Sequence, residues 1–112
     1  MVKLVCFVRR NPNLTIEEFH EHWTHQHAEL VLEHGGRWVR RYEQNHRLPK
    51  DYARPGAPDF DGCAIQWFDS VRDFFAMVAD PAYQEHVGPD ERYLLDLDAT
   101  TFLLTDEEHR VI

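Results

Sequence analysis

Four side chains in this sequence have the types and spacing for proton-transfer chemistry: His27, Tyr42, His46 and Gln66. His27 follows Trp23 by one turn on a helical stripe that also carries Ile16, Phe19 and Leu30. Imidazole titrates near neutral pH, so a histidine projecting from that stripe into a cavity could act as general acid or base. The position equally suits a hydrogen-bonded core histidine near a helix C-terminus, where the dipole favours its cation. Tyr42 and His46 are an even number of residues apart in an extended segment and share a strand face. There the phenol could donate to a carbonyl or enolate oxygen while the imidazole moves a proton, or both could fill an interface. Gln66 is the only polar side chain between Gly62 and Phe68 and could orient a substrate oxygen.

The remaining reactive side chains carry less. The cluster His20, His22, His25 and His27 contains HEHWT, which departs from the zinc-protease pattern at Thr24. Glu18, His22, His25 and Glu29 share the helix face opposite the apolar stripe, and exposed ligands with no supporting shell hold zinc weakly. No metal site is expected. Cys6 and Cys63 lie in apolar runs without disulfide or metal spacing, and Cys63 reads as an inert buried thiol on the helix-facing side of its strand. Asp61 reads as capping or solvating the start of that strand. With no Gly-rich phosphate loop, Ser-His-Asp arrangement or Cys-x-x-Cys, no cofactor is expected.

These residues must be positioned by a short series of elements. Val2 to Val8 is an apolar, β-branched run stopped by Arg9-Arg10-Asn11-Pro12, which predicts a strand covered on both faces. Thr15 and Glu18 form a capping box that opens a helix running to Gly35-Gly36. A second strand is expected over 37–47, then a long mobile loop over 48–59, with three prolines and a glycine. A third strand over 60–68 precedes a helix over 71–79, capped by Ser70 and Asp73 and broken at Asp80-Pro81. Two helical turns, around 82–87 and 89–95, lead to a last strand over 99–104. The order β-α-β-β-α-β predicts a single α+β domain over 1–112, with a ferredoxin-like antiparallel sheet and helices on one face.

Helices cover only one face, yet the first strand is apolar on both. Val2, Leu4, Cys6 and Val8 alternate with Val5 and Phe7. Face-to-face pairing of two such sheets, as a dimeric α/β barrel, would cover the second face and leave a cavity between them. On the third strand the bulky set Cys63, Ile65 and Trp67 is expected on the helices, which turns Gln66 and Phe68 toward that cavity. On the second strand Trp38, Arg40, Tyr42, Gln44 and His46 form the face suited to a ligand pocket. Trp38, Arg40, Gln66 and Phe68 are therefore candidate substrate-binding residues.

Composition narrows the partners. Of 112 residues, 43% are hydrophobic and 12% aromatic, enough for a packed core. Twenty acidic against twelve basic residues give a net charge of −8. Such a chain is repelled by phosphate backbones and anionic lipid, so neither nucleic acid nor membrane is an expected partner. The start shows no leader pattern and no stretch is long enough to cross a bilayer, so a cytoplasmic location is expected.

The segments VKLVCFVRR, LTIEEFHEHWTHQHAEL, RRYEQNH and DGCAIQWFDS together resemble the EthD family of dimeric α/β-barrel proteins. The most specific pieces are Trp23 with His27, then Tyr42, Asn45 and His46, then Asp61, Gly62, Trp67 and Phe68. The resemblance implies a homodimer with internal cavities, and a histidine at position 27 bordering the pocket. Dimeric barrels of this kind include methylmuconolactone isomerases, aromatic polyketide cyclases and cofactor-free monooxygenases. The first expectation is a cofactor-independent isomerase, cyclase or dehydratase acting on a lactone, aromatic or polyketide-like substrate. His27 and His46 would move protons, Tyr42 and Gln66 would polarise oxygen, and Arg40 would hold an anionic group. The alternatives are a cofactor-free oxygenase or its accessory protein, and a non-catalytic binding barrel.

Overall fold

A computed structural model describes residues 1–112. Strand β1 (Val2–Val8) leads to helix α1 (Ile16–His22), a π-helical segment (Trp23–His27) and helix α2 (Ala28–Gly35). Strand β2 (Val39–His46), a 3-10 helix (Pro49–Ala53) and strand β3 (Gly62–Phe68) follow. Helices α3 (Val71–Ala79), α4 (Pro81–His86) and α5 (Gly88–Leu94) precede strand β4 (Thr101–Thr105). The strands form one antiparallel sheet in the order β2-β3-β1-β4, the ferredoxin-like arrangement. No helix is long and apolar enough to cross a membrane.

The starts of the helices follow local chemistry. The Thr15 hydroxyl accepts from the Glu18 amide at 3.0 Å, and the Glu18 carboxylate accepts from the Thr15 amide at 2.9 Å. Ser70 accepts from the Asp73 amide, and Asp80 accepts from the Tyr83 amide ahead of Pro81.

The core lies between the sheet and its helices. One cluster joins Val31, Trp38, Phe68, Phe74, Met77, Tyr83 and Val87, and a second joins Val8, Leu14, Phe19, Trp23 and Leu94. Both rest on the sheet face that carries Leu4, Cys6, Ala64 and Leu104.

This reverses the expected orientation of β3. Gly62, Ala64, Gln66 and Phe68 face the helices, while Cys63, Ile65 and Trp67 lie on the open face with their partners Phe7, Val5 and Lys3. Bulk does not decide the side, because the helices bring their own large rings and need small residues opposite. A Cβ on Gly62 would stand 2.6 Å from the Trp23 ring, so only glycine leaves room for that indole. Trp67 is accommodated outside, beneath the charged ends of Lys3 and Arg41 at 5.9 and 4.8 Å from its ring. Cys63 is accordingly on the open face, not the helix face.

Two further departures matter for the site. The β2–β3 register slips between Val39 and Arg41, and this bulge breaks the alternation expected to align Trp38 and Arg40 with Tyr42. The segment after β2 is clipped rather than a free loop. Arg47 Nε donates to Asp51 at 2.9 Å, and the Tyr52 hydroxyl donates to Asp61 at 2.8 Å.

Candidate active site

A cavity of about 390 Å³ lies between the sheet and its own helices, within a single chain rather than between two sheets. Its walls are mostly apolar, including Leu4, Val8, Trp23, Met77, Leu94 and Phe102. The polar groups on it include His27, Tyr42, Gln66, Tyr83 and Glu91. An apolar hollow with a few convergent polar groups is the form of a small-molecule site.

His27 reaches this cavity through an irregularity in its helix. In an α-helix, residues five apart are separated by about 140° around the axis. The Ala28 amide instead bonds to the Trp23 carbonyl, an i→i+5 turn that stacks residues five apart. His22 and His27 thereby reach the same partner, Asp90 on α5. His27 Nδ1 lies 2.7 Å from Asp90 Oδ2, and His22 Nε2 lies 2.6 Å from Asp90 Oδ1. His22 was expected on the solvated face; the π turn rotates it inward.

Burial raises the Asp90 acid, but the hydrogen bonds from His27 and His22 outweigh this and hold its carboxyl below the ordinary range. The ionised carboxylate can only accept, so Nδ1 of His27 carries a proton. Nε2, which has no partner in the chain, is the basic nitrogen. The arrangement is a histidine oriented by a carboxylate at the wall of an apolar cavity.

Tyr42 stands on the sheet side. Gln44 Nε2 donates to its hydroxyl oxygen at 3.0 Å, which leaves the phenolic proton free to be given to a ligand. Burial raises the Tyr42 phenol, so the hydroxyl stays a donor at neutral pH. Gln66, directly opposite Tyr42 in the β2–β3 ladder, is buried and presents an Oε1 with no partner in the chain. His27, Tyr42 and Gln66 are thus brought together on one cavity.

The other candidates are placed elsewhere. His46 is exposed and lies behind Trp23, with ring centroids 4.4 Å apart, so the indole separates it from the cavity. It belongs to a polar chain in which His46 Nδ1 meets His20 Nδ1 at 2.7 Å and His20 Nε2 meets the Tyr52 hydroxyl at 2.8 Å. That chain ends on the fully buried Asp61, which also accepts from the Arg10 amide at 2.8 Å and from Arg9 Nη1 at 3.3 Å. Asp61 is thus a buried anchor, not a solvated cap. Arg40 donates twice to Asp69, at 3.0 and 2.8 Å, and borders a separate depression beside α2. Trp38 is buried beneath the Arg37 guanidinium, and Phe68 packs edge-on to Phe74 inside the core. Neither borders the cavity.

Sequence reasoning missed Asp90, Glu91 and Tyr83. Glu91 borders the cavity, accepts from the Tyr83 hydroxyl at 3.4 Å, and is raised above the ordinary carboxyl range by burial. Within GPDERYL, residues 88–94, the acids look like an ordinary helix first turn; no local signal marks them. Cys6 also faces the cavity, its thiol pushed up to about 11, chiefly by burial, and so unreactive.

The fold places the chain among small α+β proteins with a ferredoxin-like sheet, here with a carboxylate-oriented histidine beside an apolar cavity. The chain belongs to the EthD family, whose domain matches residues 11–98. Among curated proteins it is similar to the dehydratase aurZ of Gibberella zeae, with 30% identity over 90% of this chain and 73% of that one. It is also similar to the decarboxylase nsrE of Aspergillus novofumigatus, with 29% identity over 81% and 67%. Among solved structures it resembles an EthD family protein of Bacillus halodurans, with TM-score 0.70 and 17% identity over 96% and 99% of the chains. A dimeric ferredoxin-like protein of unknown function from Bacteroides fragilis matches with TM-score 0.67 and 14% identity over 95% of each chain.

Proposed function

We propose that this chain is a cofactor-independent enzyme of the isomerase, cyclase or dehydratase type, acting on a small lactone, aromatic or polyketide-like substrate. The observation that carries the reading is the His27–Asp90 pair, whose free Nε2 is the basic nitrogen at the wall of an apolar cavity. His27 withdraws a proton from carbon next to a carbonyl, and Asp90 balances the imidazolium that forms. Tyr42 donates to the carbonyl oxygen as negative charge develops there. Gln66 fixes a second oxygen. His46 supports Trp23 from behind instead of touching the substrate. The name of one curated relative, a dehydratase, accords with chemistry of this kind.

The working unit is a homodimer. Val5, Phe7, Ile65, Trp67 and Leu103 share the open sheet face, and Phe7 and Leu103 are 36% and 50% exposed. A second copy is the partner that matches this face by construction. The dimeric description of the Bacteroides fragilis fold agrees with it.

The test measures turnover of lactone and β-hydroxyketone substrates by His27→Ala and Tyr42→Phe, with circular dichroism to establish folding. Each variant should lose activity by about 10²–10⁴-fold. Full activity in both would sink the assignment. Oxygen uptake during wild-type turnover would move the reading to a cofactor-free oxygenase.

A further inference from the structure

The cavity is unbalanced in both hydrogen bonding and charge. Gln66 Oε1 is buried without a partner in the chain, and the residue is only 7% exposed. A buried carbonyl is costly to leave bare, so a molecule that fits this cavity meets it with a donor. Gln66 borders the cavity and no protein donor reaches that oxygen, so a bound molecule, or water in its absence, supplies the donor.

No lysine or arginine borders the cavity. The cation that could form there, on His27, is already opposed by Asp90 at 2.7 Å. Glu91 adds a carboxyl to the same wall, held next to the Tyr83 hydroxyl, and burial favours its uncharged form. An anion seated against these walls would give up part of its water and find no compensating charge.

We infer that the cavity selects an uncharged molecule that offers a hydroxyl to Gln66, and that it rejects the corresponding carboxylate. Gln66 and Glu91 are then the specificity-determining residues. The inference rests on the same cavity as the proposed reaction but concerns binding, so it stands or falls separately from turnover. It also bears on reaction class. Elimination of water starts from a neutral β-hydroxy carbonyl compound. Loss of carbon dioxide starts from a carboxylate, which this cavity has no group to hold.

The experiment is equilibrium dialysis of the wild-type protein at neutral pH with three probes: 2-naphthol, 2-naphthoate and naphthalene. 2-Naphthol should bind at least about tenfold more tightly than either of the others. In Gln66→Met, which keeps the length of the side chain but removes the acceptor, 2-naphthol should fall to the affinity of naphthalene. Binding of 2-naphthoate as tight as that of 2-naphthol in the wild type would overturn the charge argument. An unchanged preference for 2-naphthol over naphthalene in folded Gln66→Met would overturn the role of Gln66. Failure of all three probes to bind the wild type up to their solubility would overturn the inference as a whole. None of these outcomes depends on His27, so loss or survival of turnover in His27→Ala is read independently.

Discussion

Replacing Asp90 by asparagine keeps the shape of the side chain and removes its charge, and two properties should change together. Asp90 accepts one hydrogen bond from His27 and one from His22, at 2.7 and 2.6 Å, with its side chain 12% exposed. Asparagine has one carbonyl oxygen and so can accept from only one of the two rings. Its amide nitrogen then faces the other ring, which gives up its hydrogen bond to a charged acceptor. Losing one hydrogen bond to a charged acceptor costs about 1.5–3 kcal/mol. At about 2.1 cal/mol/K per residue, 112 residues give an unfolding entropy near 0.24 kcal/mol/K, or about 4 °C per kcal/mol. Calorimetry at pH 7 should therefore show Asp90→Asn melting about 6–13 °C below the wild type.

The pH dependence has a definite sign. The folded-state value of Asp90 is depressed below its ordinary 3.8, so its contribution is complete above that pH and is lost as pH falls through the lower folded value. The gap in melting temperature between wild type and variant should hold from pH 7 down to about pH 4 and narrow below it. Turnover should fall by about 10²–10⁴-fold in kcat, because the imidazole loses its orienting charge. KM should hold, because Asp90 does not border the cavity. An unchanged melting temperature together with unchanged kcat would refute the reasoning.

Asp61→Ala should be more damaging to stability. It leaves Arg9, Arg10 and Tyr52 facing an emptied, fully buried site, at a cost of about 3–5 kcal/mol. With slopes of about 1–3 kcal/mol/M, the urea midpoint should fall by about 1 M or more. His20 and His46 should make the fold acid-sensitive. The two Nδ1 atoms lie 2.7 Å apart, and His20 Nε2 meets the Tyr52 hydroxyl at 2.8 Å. Burial, foremost, lowers both rings below the ordinary 6.5, so the unfolded chain binds protons first as pH falls. Stability should decline as pH drops from about 6.5, and the double variant His20→Phe, His46→Phe should remove much of that slope in urea titrations.

Much of the architecture was legible in one dimension. The helix caps, the Asp80-Pro81 break and the apolar runs are local signals, and they marked the main helices and the apolar strands. His27 and Gln66 also stood out because each is a polar group embedded in an apolar pattern, and Tyr42 because it shares a strand face with other aromatic and titratable groups. The side of the sheet was not legible. Alternation says that Gln66 and Trp67 point opposite ways, but not which way is in. The answer lay in Gly62 and Trp23, far apart in sequence, where one residue's missing Cβ accommodates another's ring.

His46 and Arg40 stand away from this cavity for similar reasons. A bulge at Arg40 interrupted the alternation, and Trp23 came between His46 and the cavity. Periodicity assumes regular elements. The π turn at Trp23–His27 violates that assumption and brings His22 and His27 onto one carboxylate.

By itself, the sequence determined the order of elements, the ferredoxin-like class and the presence of a histidine and a tyrosine of the type that moves protons, with a glutamine of the type that orients oxygen. Those properties depend on neighbours within a turn or a strand. Only the tertiary structure decided that the cavity lies under the helices, that Asp90 orients His27, and that Glu91 shares its wall. These depend on contacts between residues more than sixty positions apart for the His27–Asp90 pair, and packing, not local propensity, selects them.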